Sequence, residues 1–340
     1  MKQKGFFDEA DRLKRLSELG DSLEKLNGSI NWEEFRKPLT EAFKKEALGP
    51  GGRPPYDYVM MFKILILQKI YNISDDQTEY QINDRLSFQR FIGIQLYDTV
   101  PDAKTIWHYR EELKEAGVLG KIFDNFTGKL EQKGIITRSG SIVDATFVNV
   151  PKQRNSKSEN KEIKSGKIPD EWQTVENRHK IAQKDTDARW ITKNKERHYG
   201  YKDHIKIDKK SKIIVKYEVT SAEVHDSQKF KNLVERKKDL RMYGDSAYTG
   251  KDVQKCLPKN IINRIHEKGY RNRPLSKIQK RNNTAKSRIR ARVEHVFGAM
   301  HHFGGLFIRT IGIKRAEVQI GLMNLVYNLT RYTYLMGAKA

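Results

Sequence analysis

The chain has 340 residues, room for about two domains at roughly 150 residues each and for a sizeable core. Lys and Arg number 66 against 43 Asp and Glu, a net charge of +23, which is far from the near-neutral balance of a small-molecule enzyme and points to a polyanionic partner. A hydrophobic fraction of 37% with 10% aromatics excludes a disordered basic tail. The single cysteine, Cys256, excludes an intramolecular disulfide framework and a multi-cysteine zinc module.

Residues 1–133 read as an all-helical domain. Residues 1–21 mix acids and bases, so no secretory signal is expected and the cytoplasm is the default compartment. The stretch 56–71 is a long apolar helix, with Val59, Phe62, Leu65, Ile66 and Tyr71 as core. Its most apolar part, 58–67, is broken by Lys63 and is shorter than the ~20 residues of a membrane span, so no membrane partner is expected. Ser74 followed by Gln77 is a capping-box start for a helix reaching toward Phe91. Asp102 after Pro101 starts another, which Gly117 closes.

After Gly134 the period changes, and 134–340 reads as an α/β domain. Strands are predicted at 139–148, 199–207 and 213–220, the last two joined by the polar turn 208–211. Asp226 caps a helix running to about Lys238. A fourth strand is predicted at 241–247, a short fifth at 261–265, and an amphipathic helix at 284–303 with Ile289, Val293, Val296 or Phe297, and Met300 on one face. An apolar helix over 316–335 closes the chain. This order makes a mixed sheet with helices packed on it. Between the first two strands lies a polar insertion, about 151–198, longer than loops of compact domains normally are.

More than half of the net charge falls in 259–315, which holds fifteen Lys and Arg against two acids, Glu267 and Glu294. A concentration of one sign repels itself unless a partner such as a phosphate backbone neutralises it. Three carboxylates stand out within this frame. Asp144 sits in mid-strand, where a bare anion is costly to bury and needs a hydrogen bond, a proton or a metal. A structural Asp bonded to backbone weighs as much for it as a functional one. Asp245 lies at the C-terminal end of a predicted strand, where open sheets place their sites, although a turn or cap role is the commoner one for an Asp ahead of Ser246. Glu294 could simply pair with Arg290 at i,i+4. A carboxylate in the most basic stretch would nevertheless weaken polyanion binding unless it held a cation against phosphate. Two strands and a helix supplying three carboxylates offer an oxygen-only site for Mg²⁺. Asp185-x-Asp187 reads as a solvated turn or one paired to Arg189.

The order Asp144, Asp245, Glu294, with the polar insertion and the run 288–297, resembles the DDE transposases of the insertion-sequence 5 family, within the insertion sequence 4/5 superfamily. The segments Val100-Pro101-Asp102-Ala103-Lys104-Thr105-Ile106, Gly200-Tyr201-Lys202-Asp203-His204 and Glu223-Val224-His225-Asp226 carry the likeness along most of the chain. The Arg-x-x-x-Glu of Arg290 and Glu294 is its most specific part. Where the wider group has a Tyr before that Arg and a Lys after the Glu, this chain has Ser287 and His301.

The resemblance implies a ribonuclease H-like catalytic domain behind a helical DNA-binding or assembly domain. It implies a DNA transposase and endonuclease that cuts element ends and joins them to target DNA. Asp144, Asp245 and Glu294 would be the catalytic metal ligands for two Mg²⁺, with Mn²⁺ as substitute, and Lys286, Arg288, Arg290, Arg292 and His301 would contact DNA. The implied partners are the element's terminal inverted repeats and the target, double-stranded DNA in both cases. The active complex would be a homodimer or higher, in the cytoplasm of a bacterium at the nucleoid. Two rivals remain at this level: a ribonuclease H-like DNA nuclease without strand transfer, and a non-enzymatic DNA-binding regulator.

Overall fold

The computed structural model describes residues 8–44, 54–193, 195–304 and 306–338, without the side chains of 8, 251, 252 and 254. The first residues of the stretch read as lacking a signal, 1–7, lie outside it. The chain divides into two compact units, 1–123 together with 325–340, and 124–324.

The first unit is helical: α1 (Asp8–Glu18), α2 (Ser22–Ser29), α3 (Arg36–Phe43), α4 (Tyr58–Tyr71), α5 (Asp75–Asp84), α6 (Leu86–Ile92), α7 (Ala103–Ala116) and the start of α8 (Leu119–Gln132). The apolar α4 is buried at Val59, Phe62, Leu65 and Ile66, whereas Tyr71, expected in the core, is exposed and its ring meets that of Phe88 at a tilt with centroids 4.7 Å apart. The predicted starts are in place. The Ser74 side chain accepts the N–H of Gln77, Asp102 accepts that of Thr105, and Gly117 ends α7 in the left-handed conformation. The single helix expected toward Phe91 is instead two, because Arg85 turns extended between α5 and α6.

The second unit carries the sheet. Its strands are β1 (Ser141–Asn149), β2 (Arg189–Lys193), β3 (Glu196–Asp208), β4 (Ile214–Ser221), β5 (Arg241–Tyr243) and β6 (Ile262–Asn263). β3 lies antiparallel to β1 on one edge, with Asp144 opposite Ile205, and antiparallel to β4 along Tyr201–Ile207. On the other side of β1 the direction changes: β5 is parallel to β1, and β6 is parallel to β5. This mixed sheet, flanked by helices and preceded by a helical region, is the ribonuclease H-like arrangement. Its helices are α11 (Asp226–Leu233), α12 (Lys251–Cys256), α13 (Lys277–Arg290), α14 (Arg292–His302) and α15 (Ile313–Gly337), which continues into the first unit. One core layer joins Val143 and Met242 from the sheet to Phe230 and Leu233 of α11, with Tyr248 and Val253.

The polar insertion is folded, contrary to its reading as a loop. It contains α9 (Lys157–Lys164), α10 (His179–Gln183) and β2. Ser156 and Glu159 form a capping box at α9, and Glu159 also accepts the indole N–H of the fully buried Trp172 at 2.6 Å. One aromatic anchor thus orders a segment whose composition is polar. Asp185 is structural: it accepts the backbone N–H groups of Asp187, Ala188 and Gly312 and the hydroxyl of Tyr201.

Gly200 shows why its motif is tight. Its φ is +146°, and an added Cβ would lie 2.3 Å from the Val148 carbonyl oxygen, so only glycine lets β3 pass β1 at this point.

Candidate active site

Asp144 stands in the middle of β1 with 8% of its surface exposed. One carboxylate oxygen accepts the N–H of Ala145 at 2.9 Å, and the other accepts from Arg290 Nη1 at 2.7 Å. Burial pushes the carboxyl up to about 6. The Arg290 charge and the Ala145 bond oppose that rise, and the negative charges of Asp245 and Glu294 add to it. Asp245 and Glu294 therefore both lie near enough to Asp144 to act on its charge.

Asp245 follows β5 by two residues. The parallel register pairs Ser141 with Met242 and Ile142 with Tyr243, and continued by two positions it sets Asp245 level with Asp144. Asp245 also caps the short turn Ser246–Tyr248 through the N–H of Ala247 at 2.8 Å. One oxygen thus serves the backbone, and the other has no hydrogen-bond partner among the described residues. Gly244 permits this turn, since a Cβ there would meet the Tyr248 ring at 3.1 Å.

Glu294 lies in the first turn of α14, exposed. The local pairing with Arg290 available to it does not form; among the described residues Glu294 makes no hydrogen bond or ion pair, because Arg290 is spent on Asp144. The continuous helix expected over 284–303 is instead two helices, α13 and α14, which meet at Ala291. Val293, Val296, Phe297 and Met300 are buried as expected, and they fix α14.

Among the described residues, no three His, Cys, Asp or Glu groups already stand close enough together to hold a metal ion. The donor set still fits a hard divalent cation. All three groups are carboxylates, and the buried Asp144 already requires a positive counter-charge, which the Arg290 guanidinium supplies.

The five basic candidates have different surroundings. Arg288 and His301 are exposed. Lys286 is turned inward, donating to the Ile265 carbonyl at 2.9 Å and lying 3.5 Å from Glu267. Arg292 donates to the Lys209 carbonyl at 2.6 Å. Ser287, where the wider group has a Tyr, bonds His266 at 3.3 Å.

The α13 helix has two faces at i, i+4, i+7, i+11 spacing. Gln279, Asn283, Lys286 and Arg290 are half-buried, while Lys277, Arg281, Thr284 and Arg288 are exposed. Tyr248 is a further site neighbour that the sequence reading missed. It is 1% exposed, its hydroxyl has no hydrogen-bond partner among the described residues, and burial together with the charges of Asp144, Asp226 and Asp245 holds its phenol far above the ordinary range. Its place three residues after Asp245 was the available signal.

No helix among the described residues is long and apolar enough to cross a membrane. A solved structure described as a piggyBac transposase synaptic complex with hairpin DNA is similar to this chain at 12% identity, with a TM-score of 0.44, over 94% of this chain and 76% of that one. The match to protein families is specific. Residues 11–112 match the Transposase domain (DUF772), and residues 136–329, more than half of the chain and all three carboxylates, match the Transposase DDE domain. The chain therefore belongs to the DDE transposases, a family of catalytic polynucleotidyl transferases whose domain implies activity in DNA transposition.

Proposed function

We propose that this chain is a transposase of the insertion-sequence 5 group that cuts the ends of a DNA element and joins them to target DNA. The reading is supported by the parallel β1–β5 pairing, in which Ile142 lies opposite Tyr243 and Asp144 and Asp245 each follow two residues later, with Arg290 and Glu294 on either side of the junction of α13 and α14. Asp144, Asp245 and Glu294 would hold two Mg²⁺. When bound, these supply Lewis-acid stabilisation of the attacking and leaving oxygens of an in-line displacement at phosphorus.

The protein's own groups do the rest. Asp144 on β1 and Asp245 just beyond the end of the neighbouring β5 concentrate negative charge where cations are needed. Arg290 holds Asp144 before substrate arrives and turns to a DNA phosphate when it does. In the first step water attacks the phosphorus and the 3′ oxygen leaves as a hydroxyl. In the second, that hydroxyl attacks a phosphodiester of the target and the target strand's own 3′ oxygen leaves as a hydroxyl. This joining step exchanges one phosphodiester for another, so no nucleotide triphosphate is consumed. The exposed basic face of α13 supports DNA as the substrate.

The test is incubation with DNA carrying candidate element ends and a supercoiled target, with Mg²⁺ or EDTA. Joined products support the transposase. Cut ends without joined product support the nuclease, and end binding that survives Asp144→Ala with no cutting by the wild type supports the regulator.

A further inference from the structure

Glu267 is the other acid in the most basic stretch of the chain, and the proposed chemistry does not use it. It lines a cavity of about 440 Å³ that begins at Tyr248 and Thr249, just beyond Asp245, and is walled by His266, Lys268, Tyr270, Arg273 and Lys286. That volume falls within the range of small-molecule sites, roughly 300–1,000 Å³.

The cavity is built in detail. Asn283, on the inner face of α13, clamps the Glu267 backbone with two bonds, accepting its N–H at 3.0 Å and donating to its carbonyl at 2.9 Å. Lys286 is fixed by the Ile265 carbonyl and steadies one Glu267 oxygen from 3.5 Å. The other oxygen has no partner among the described residues. Tyr270 and Arg273 exchange backbone hydrogen bonds at 3.0 Å in each direction, a pairing that puts their side chains on one side of a tight turn. The Tyr270 ring is 60% exposed. Tyr248, whose buried hydroxyl has no hydrogen-bond partner among the described residues, is part of the same wall.

We propose that this cavity receives one unpaired nucleotide of the DNA substrate and selects guanine. The proposal rests on DNA being the substrate. An exposed tyrosine offers a face on which a base stacks, and Arg273 and Lys268 beside it suit the phosphate. A carboxylate only accepts hydrogen bonds. Guanine places two adjacent donors, N1–H and N2–H, on its Watson–Crick edge and matches it best. Thymine, with a single N3–H between two carbonyl oxygens, matches it worst. The same inner face of α13 carries Arg290 to Asp144, so an occupied cavity would fix the strand that enters the candidate active site.

The test uses Asp144→Ala protein in EDTA, so that no DNA is cut, and short labelled duplexes that are blunt or end in one unpaired dG or dT. The dG duplex should bind about tenfold tighter than the dT duplex. Glu267→Gln should reduce that ratio to below about twofold. Tyr270→Ala, at an exposed position that puts folding at little risk, should lower the gain of the dG duplex over the blunt one by about fivefold or more. Equal binding of the dG and dT duplexes, or a preference unchanged by Glu267→Gln, overturns the proposal. So does a preference for free dGMP over dTMP with none between the duplexes, which would give the cavity to a free nucleotide. Blunt DNA that binds without any overhang preference sinks the cavity alone, whereas no DNA binding by any form sinks the DNA reading with it.

Discussion

Arg290 Nη1 donates to Asp144 Oδ2 at 2.7 Å, joining residues 146 positions apart in the chain. The pair has two consequences. It supplies the counter-charge without which a carboxylate this buried would be costly, and it occupies the oxygen that a cation would need.

The first prediction concerns that competition. Arg290→Gln removes the positive charge from Asp144 and frees its oxygen, so Mn²⁺ should bind the DNA-free protein more tightly, on the order of tenfold. Electron paramagnetic resonance of unbound Mn²⁺ reads this directly. Unchanged or weaker binding would mean that Arg290 does not hold the place of a cation.

A second prediction separates two arginines that look alike in the sequence. Arg288 is exposed, and Arg288→Ala should lower the log–log salt slope of DNA binding by about one, the loss of one phosphate contact. Arg292 is bound to the Lys209 carbonyl, and Arg292→Ala should lower the melting temperature while leaving the slope nearly unchanged. Equal slope changes for both would refute the distinction.

The third prediction follows from Asp203, fully buried on β3 and bonded by the Asn324 amide at 3.2 Å. Burial pushes its carboxyl up to about 8, and the Asn324 bond offsets this only in part. The folded state keeps this proton where the unfolded chain, with an ordinary Asp near 3.9, has lost it. The group's contribution is complete below about pH 4 and declines as pH rises toward about 8, by up to about 1.4 kcal/mol per pH unit. Melting curves between pH 5 and 8 should show the decline, and Asp203→Asn should flatten it. A wild-type curve already flat over that range would contradict a protonated Asp203.

Gly200→Ala is the fourth. The new Cβ would meet backbone, not a side chain that could rotate away, so the loss should exceed about 3 kcal/mol or prevent folding. Urea unfolding measures it, and a variant within about 1 kcal/mol of wild type would show that β1 and β3 can separate at that point.

Much of this was legible in the residues. Helix starts at Ser74 and Asp102 depend on local capping, which sequence carries, and the change of period after Gly134 marked the central strands. The order of charged motifs gave Asp144, Asp245 and Glu294 before any geometry. What escaped depends on longer-range packing. The insertion folds around Trp172 and its bond to Glu159, a tertiary fact inside a polar composition. Arg290 pairs with Asp144, distant in the chain, rather than with Glu294 one turn away. Glu267 was counted as one of two acids, but its clamp by Asn283 appears only once α13 lies against the segment beside it.

The central claim is that Asp144, Asp245 and Glu294 form one metal-dependent site for phosphoryl transfer. Its most direct test maps cleavage of DNA carrying element ends in Mg²⁺, comparing wild type with Asp144→Ala, Asp245→Ala and Glu294→Ala, and measures end binding for all four. The account predicts cutting at the element boundary by wild type only, with binding by each variant within a few-fold of wild type and no cutting in EDTA. Near-normal cleavage by any one variant would remove that residue from the site, and near-normal cleavage by Asp144→Ala would contradict the account itself.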